Sequence, residues 1–584
     1  MNTHTHKAIL HTAFTGQKSS PVGAAAIESH LSCMTAALEP WFDNVPSRLA
    51  ELAKSGKRDQ KRLEDVAERL NASYDKVQPQ TETEKRVYTI WCHLLETDAF
   101  GVTDDFFQIG GNSILVARMI ENIENAFSLR IPIAGIYVEP TVARIAAILD
   151  EIRAAYQANP AQFVGTYHSE ALIRQHAETL ENDVYLKESV RPDGLIHANW
   201  YQPDTILLTG ATGYLGLHLL EQLLKQTSAR VICLCRASDK QHARDRIRDG
   251  FKHYRIDVGH GLERVDFVIG DLGLPRFGLL PETWTQLAES VDVIYHNGAL
   301  VNFIYPYSAL KNINVDSTRT ALALACTARL KHLHYVSSVN ALFATESPRP
   351  YLEDDRAMSE SVRDPSGYSG SKWVAEGIIN IARKRGVPVS IYRPGLILGH
   401  TRTGAAQGND YLVASLKGYL TMGFYPDHAL LLDIVPVDYV AASLVHISGQ
   451  PECNGKFFNL FNPEQISTRQ FFDWVQDFGY ILNPVPFYEG KEQILTLDDT
   501  HPLYPLIPQI RDMTSRPYRA LDPAYIDEIH PELELRNTLS GLAGSDIRCP
   551  TITAEYVHQI LRYLIGAGFL PATLSEHFKK EAVA

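Results

Sequence analysis

The chain has 584 residues, room for roughly four compact units at ~150 residues each, and its 45% hydrophobic and 21% charged content excludes wholesale disorder. Lys and Arg number 55 against 68 Asp and Glu, a formal net charge of −13, which with no dense basic stripe excludes a protein that wraps nucleic acid. The most apolar stretch, 429–447, is broken by Asp433 and Asp438, and the N-terminal Met1-Asn-Thr-His-Thr-His-Lys7 lacks the order of a secretory leader. The expectation is a cytoplasmic chain with no membrane and no nucleic-acid partner. The seven cysteines are odd in number and scattered; they read as small, mostly buried thiols and not as a disulfide framework. His4, His6 and His11 read as a polar terminus, and no metal is expected.

Residues 1–75 are weakly patterned and carry a basic patch, Lys54-Ser-Gly-Lys-Arg-Asp-Gln-Lys-Arg62. A helix start is written in Thr81-Glu-Thr-Glu84, a capping box, followed by Val87, Ile90, Trp91, Leu94 and Leu95 at helical spacing. In Asp104-Asp-Phe-Phe-Gln-Ile-Gly-Gly-Asn-Ser-Ile-Leu115 the two glycines allow a tight turn, and Ser113 stands where the next helix begins. That helix is expected to bury Ile114, Met119, Ile120, Ile123 and Phe127. A further helix follows Thr141, with Val142, Ile145, Ile148 and Leu149 on its apolar face. The sum, over 78–153, is a small all-α bundle presenting one hydroxyl. Free N–H groups at a helix start favour an attached anion, although the commonest job of a serine there is to cap, and spacing alone favours the cap.

The wording of this segment tips the balance. Phe106-Phe-Gln-Ile-Gly-Gly-Asn-Ser-Ile-Leu115 with Pro140-Thr-Val142 resembles the carrier domain of nonribosomal peptide synthetases. The resemblance implies 4′-phosphopantetheine on Ser113, placed there by a phosphopantetheinyl transferase.

Residues 154–200 read as a linker. From Thr205, apolar β-rich runs alternate with helical patterns up to about 435, which predicts an α/β Rossmann domain with a parallel, doubly wound sheet over 201–435. The first run enters Gly210-Ala-Thr-Gly-Tyr-Leu-Gly216 and then a helix, the dinucleotide pattern. This makes Gly210, Thr212, Gly213, Tyr214, Leu215 and Gly216 cofactor-binding candidates. An NAD site would place an acid at the end of the second strand; here stands Arg236, with Arg246 further on. A guanidinium there suits a 2′-phosphate, so the cofactor expected is NADPH. Ser338 closes a later strand, and Tyr368 and Lys372 share one face of a helix. A nearby ammonium is expected to lower the tyrosine pKa and let it donate a proton to a developing alkoxide, giving Ser338, Tyr368 and Lys372 as catalytic candidates. Tyr368 and Lys372 are also expected to touch the cofactor. After Pro436 the alternation weakens, and 436–584 is expected to form a smaller C-terminal substrate lobe.

These residues, with Gly270-Asp-Leu272, His296-Asn-Gly-Ala299, Asn314-Val315, Tyr392-Arg-Pro-Gly395, Pro436-Val-Asp-Tyr439 and Gly568-Phe-Leu-Pro571, resemble the thioester reductase domain, an extended short-chain dehydrogenase/reductase. Such domains end some nonribosomal synthetases, carboxylic acid reductases and aminoadipate reductases. The resemblance adds Asp271, Leu272, Asn297, Gly298 and Ala299 to the cofactor-binding residues. It implies NADPH-dependent release of a carrier-bound acyl or peptidyl thioester as an aldehyde, and an alcohol after a second reduction, in secondary metabolism. One departure is Ser338, where the family usually has threonine. Glu39-Pro-Trp-Phe-Asp-Asn-Val-Pro-Ser-Arg48 and Gly56-Lys-Arg-Asp59 look like the end of an adenylation domain without its ATP loop. The acyl group is therefore expected to be loaded in trans by an adenylating or condensing enzyme. Two other readings stay open: a dehydrogenase or epimerase acting on a free small molecule, and a non-catalytic carrier scaffold.

Overall fold

In a computed structural model of the chain, the structure describes residues 76–158, 169–345, 352–354, 362, 364, 366–408, 410–427, 430–512 and 534–573. The basic patch, Lys57 and the histidines of the first residues lie outside these. The chain divides into two units, residues 1–169 with 274–285, and residues 170–273 with 286–584.

In the first unit, Thr81 and Glu84 close the capping box of α1 (Glu82–Leu95) as the sequence predicts. The remaining helices are α2 (Ser113–Phe127), α3 (Ile133–Val138) and α4 (Val142–Ala158); the short α3 carries too few residues to show a period. Trp91, Phe100 and Phe106 are fully buried, with the Trp91 and Phe106 rings edge to face at 4.8 Å. Val142, Ile145, Ile148 and Leu149 are buried as expected. Ile114 is not: it is 41% exposed, and the buried face of α2 runs through Val116, Ala117, Met119, Ile120 and Ile123. Phe127, also expected in the stripe, is only partly buried.

The second unit is built on a parallel sheet. Its strands are β1 (Thr205–Thr209), β2 (Arg230–Cys235), β3 (Val265–Ile269), β4 (Val293–His296), β5 (His332–Val336), β6 (Val389–Pro394) and β7 (Phe457–Leu460). Their order across the sheet is β7-β6-β5-β4-β1-β2-β3, and every neighbouring pair is parallel. The order reverses at β1, between β4 and β2, where open α/β sheets leave a crevice at the strand C-termini. The crossover helices include α6 (Tyr214–Gln226), α7 (Lys240–His253), α8 (Ser317–Ala325) and α9 (Gly367–Lys384).

Two expected boundaries shift. Within 154–200, read as linker, residues Ser169–Asn182 form a helix, α5, with His176 and Leu180 buried. A Cβ on Gly370 of α9 would lie 2.8 Å from Leu180 Cδ1, and one on Gly377 would lie 2.8 Å from Val184 Cγ1. Arg385 donates to the carbonyls of Lys187 and Leu186 at 2.7 and 3.1 Å. The stretch 169–190 is thus packed onto α9; its Gln and His content hid a narrow apolar face. The expected break at Pro436 is also not clean. α11 (Val437–Ser448) packs beside α6 in the sheet's own core, and β7 returns to the sheet edge against β6. Conversely, Leu398, Leu432, Ile434 and α10 (Tyr411–Met422) join the second core with α12 (Thr468–Asp477) and α13 (Ala554–Gly566). The lobe is interleaved with the sheet domain. Among the described residues no helix is long and apolar enough to cross a membrane.

Candidate active site

Gly210 ends β1 with φ +71°, and a Cβ there would meet the Gly298 Cα at 2.6 Å. A Cβ on Gly216 would lie 2.0 Å from the Gly210 carbonyl oxygen. These two glycines are demanded by the protein's own backbone. Gly213, the N-cap of α6, is different: the nearest atom to its Cβ would be the Gly210 oxygen at 3.4 Å. Its exposed backbone leaves room for a group approaching the helix N-terminus, which fits a dinucleotide pyrophosphate. Thr212 and Leu215 flank this turn, both partly exposed. The Tyr214 side chain turns away: its buried hydroxyl lies against the Leu398 and Ala405 carbonyls, at 3.0 and 2.8 Å. Only its backbone belongs to the turn.

Beside the turn, the Thr209 hydroxyl lies 2.9 Å from His296 Nδ1 and accepts from the Gly298 N–H at 3.0 Å. His296 Nε2 lies 3.1 Å from Ser317 Oγ. Burial, then the nearby Lys372 charge, pushes His296 down to about 3, so it serves as a neutral bridge between β1, β4 and α8. Asn297 reaches the Gly210 carbonyl at 3.4 Å, and Ala299 follows Gly298 in the partly buried loop after β4. In the turn after β3, Asp271 accepts from the Gly273 N–H at 2.9 Å, and Leu272 Cδ1 would sit 2.4 Å from a Cβ on Gly298. Arg236 leaves the end of β2 exposed, and Arg246 of α7 donates to the Arg236 carbonyl at 2.5 Å. Two guanidinium groups therefore stand at the strand end where the 2′-phosphate of NADP would be held.

Ser338, Tyr368 and Lys372 come together past the end of β5, 8%, 5% and 3% exposed. The Tyr368 phenol stands beside the Ser338 hydroxyl, and Ser338 Oγ accepts from Asn340 N and Nδ2 at 3.2 and 3.0 Å. Burial pushes the Tyr368 phenol up to about 12, against the lowering effect of the Ser338 hydroxyl. This overturns the expectation of a lowered tyrosine pKa. The Lys372 ammonium is turned to the Val336 carbonyl at 2.9 Å and lies 5.0 Å from the Tyr335 ring centroid. Burial in turn lowers Lys372 to about 8, against the pull of the Glu376 carboxylate.

Three neighbours stand outside the expected site residues, although Asn314-Val315 belongs to the resemblance. Thr209 is one. Asn314 stands in a π-turn, Asn312–Asp316, a device often found at functional sites. It accepts from the Leu300 N–H and donates to the Leu300 carbonyl and Ser371 Oγ, at 2.8, 3.1 and 2.9 Å, tying the β4 loop to α9. Phe303 places its ring edge to face with Tyr368 at 5.2 Å and with Tyr411 at 6.0 Å. It spans from the tyrosine to the lobe helix α10.

In the first unit, the structure gives the capping job to Asn112. Its side chain accepts from the N–H groups of Ile114 and Leu115, both at 3.0 Å. Gly110 has φ +116°, and a Cβ on Gly111 would strike the Phe106 ring at 2.2 Å, so this turn needs both glycines. Ser113 is the first residue of α2, half-buried. Its hydroxyl, relieved of capping, fits a phosphodiester at a helix start.

Comparison with known proteins agrees with both units. The family described as "Phosphopantetheine attachment site" matches residues 85–149, and the one described as "Male sterility protein", an NAD-binding family, matches 208–444. The chain is 33% identical over 527 residues to a linear gramicidin synthase of Brevibacillus parabrevis, covering 89% of this chain and 10% of that protein. It is 32% identical over 509 residues to the L-2-aminoadipate reductase large subunit of Eremothecium gossypii, covering 83% and 36%. It thus spans only a minor part of the length of these relatives. The terminal R domain of the myxalamid PKS-NRPS biosynthetic pathway is 35% identical, with a TM-score of 0.62 over 68% of this chain and 99% of that one. The chain belongs to the family of carrier-linked, nicotinamide-dependent thioester reductases of nonribosomal peptide synthetase and aminoadipate reductase type.

Proposed function

We propose that this chain releases an acyl or peptidyl group, held as a thioester on a 4′-phosphopantetheine arm at Ser113, by NADPH-dependent reduction to an aldehyde in cytoplasmic secondary metabolism. The observation that carries the reading is the meeting of Ser338, Tyr368 and Lys372 next to the glycine turn at the sheet's switch point, in a chain that also carries a carrier helix. The glycine turn would hold the pyrophosphate of NADPH and Arg236 and Arg246 its 2′-phosphate, and the cofactor so held would supply the hydride. The Ser338 and Tyr368 hydroxyls bind the oxygen of the reacting carbonyl, and Tyr368 gives it a proton. A phenol held near 12 keeps its proton until an alkoxide develops. Lys372 would hold the cofactor ribose and add positive charge near the forming oxyanion. Within the reaction, Asn314 and Phe303 position the loop after β4 against α9.

In the proposed reading an adenylating or condensing enzyme loads the arm in trans. The test uses the full chain converted with coenzyme A and a phosphopantetheinyl transferase. One phosphopantetheine should appear by intact mass, and none on Ser113→Ala. Loaded chemically with an acyl-pantetheine, the protein should consume NADPH and release aldehyde or, after a second round, alcohol. With ATP and free acids alone it should consume none. NADPH turnover on free carbonyl compounds by protein lacking the arm would favour a dehydrogenase of small molecules, and absence of NADPH binding would favour a scaffold.

A further inference from the structure

A buried ion pair lies behind the Ser338, Tyr368 and Lys372 cluster. Glu376 follows Lys372 by one helical turn on α9, and both it and Arg393 of β6 are 0% exposed. The guanidinium closes on the carboxylate as a fork, with Nε 3.0 Å from Oε1 and Nη2 2.6 Å from Oε2. Ser337, the neighbour of Ser338, donates its hydroxyl to the same carboxylate. Arg393 then spends its other donors on the Leu352 and Asp354 carbonyls, at 3.0 and 3.1 Å. Between these, the Glu353 carboxylate accepts from Asn459 N, Thr538 N and Thr538 Oγ1, at 3.0, 3.1 and 2.8 Å. Residues 352–354 lie midway along the connection from Ser338 to Tyr368, so that connection is tied down from both sides at its centre.

Stability alone is a poor reason for this arrangement, because well-packed apolar residues often replace a buried ion pair without loss. The pair instead joins all three site residues: the strand end that carries Ser338, the helix that carries Tyr368 and Lys372, and the connection between them. Lys372 faces Glu376 from its own helix, Tyr335 and the Val336 carbonyl from β5, and His296 from β4. Glu376 faces Arg393 from β6 and Ser337 from the end of β5, and its charge also reaches Tyr335. Among the described residues, Glu376 supplies the carboxylate whose charge acts on Lys372.

We propose that Glu376 and Arg393 are positioning residues for the reductase site: Glu376, one helical turn from Lys372, holds Ser337 beside Ser338, and Arg393 fastens the Ser338-to-Tyr368 connection to the sheet. The proposal rests on the function proposed for that site. It is tested on the phosphopantetheinylated full chain by comparing wild type, Glu376→Asp, Glu376→Gln and the double variant Glu376→Gln/Arg393→Met, which leaves neither member of the ion pair alone. Two profiles are read against pH: kcat on the chemically loaded arm, and NADPH affinity by titration. Where Glu376 is replaced by Gln, alone or in the double variant, the alkaline limb of both profiles should move about one pH unit lower. Their kcat should fall with little change in KM, and Glu376→Asp should restore the limb. Folded Gln variants with a wild-type limb and kcat, or a limb displaced equally in Glu376→Asp, would overturn it. A wild type that binds NADPH and leaves thioesters unreduced would instead sink the proposed function, and the NADPH profile would still decide the role of Glu376.

Discussion

Gly216 approaches Gly210 so closely that a Cβ on Gly216 would stand 2.0 Å from the Gly210 carbonyl oxygen, whereas the same addition at Gly213 meets that oxygen at 3.4 Å. The two substitutions should therefore separate folding from binding. Gly216→Ala should destabilise the fold by ~1–3 kcal/mol through forced backbone shifts, read as a lower Tm without cofactor. Gly213→Ala should leave Tm near wild type and weaken NADPH, because its Cβ occupies the side left open for the pyrophosphate. Equal loss of Tm in the two variants would contradict this division.

Arg236 and Arg246 stand together at the end of β2, and the discrimination between NADPH and NADH is assigned to them. Arg236→Ala should weaken NADPH by ~1.5–3 kcal/mol, the worth of a charge-assisted bond to phosphate, and leave NADH affinity almost unchanged. Titration of both cofactors against wild type and variant checks it. A wild type that binds the two equally would remove the role given to Arg236.

Asn112 and Ser113 divide two jobs that adjacent residues could easily confuse. Asn112→Ala should lower carrier stability by ~1 kcal/mol, the usual cost of a lost N-cap, while Ser113 still takes up phosphopantetheine. Ser113→Ala should do the reverse, with stability kept and no mass added. Denaturant midpoints and intact mass on the same two proteins give the answer.

Much of this arrangement is legible in the residues themselves. The runs at 205–209 and 230–235 coincide with strands, because a strand buried on both faces is written as a nearly continuous apolar run, and the run at 265–269 coincides with the edge strand, where Asp266 is partly exposed. β7 is hard to read because its partner β6 lies far back in the chain and Asn459 interrupts its pattern. α5 is hidden because a helix that packs through few residues needs only a narrow apolar stripe. The direction of the Tyr368 shift is not legible, because spacing places Lys372 on the same helical face but says nothing of burial, nor of the Val336 carbonyl that draws the ammonium away. Pairings such as Glu376 with Arg393 depend on strand order and have no local signature.

Four buried histidines set an acid limit for the second unit. Burial lowers His176 to about 4 and His296 and His332 to about 3, and takes His334 well below the ordinary value. Below pH 6.5 the unfolded chain binds protons that the folded chain refuses. Stability is therefore full above 6.5 and is lost as pH falls toward 3, by up to ~1.4 kcal/mol per pH unit for each group. Urea midpoints at pH 7.5, 6.5, 5.5 and 4.5 should fall progressively, and His334→Gln should flatten that slope by about one proton. A midpoint independent of pH over this range would mean that these rings are not held neutral.

Tyr368 and Lys372 are displaced in opposite directions, and the pH profile should tell them apart. Burial holds the phenol protonated up to about 12, so it remains a proton donor across the whole working range. Lys372 gives up its proton near 8, so an alkaline limb near pH 8 in kcat belongs to the lysine. Tyr368→Phe should accordingly lower kcat by ~100- to 10,000-fold with NADPH affinity kept and the limb in place. Lys372→Met should weaken NADPH and abolish the limb. The same two groups act on stability with opposite signs. Between about 8 and 10.5 the unfolded lysine carries a proton that the folded one lacks, so stability rises with pH there. Between 10 and about 12 the folded tyrosine keeps a proton that the unfolded one loses, so stability falls again. The share that belongs to Lys372 is read as a difference: between about pH 8 and 10.5 the midpoint of Lys372→Met should gain less, or lose more, than that of wild type. A limb that moves with Tyr368→Phe would give the pH dependence to the phenol and remove the division of labour argued for the pair.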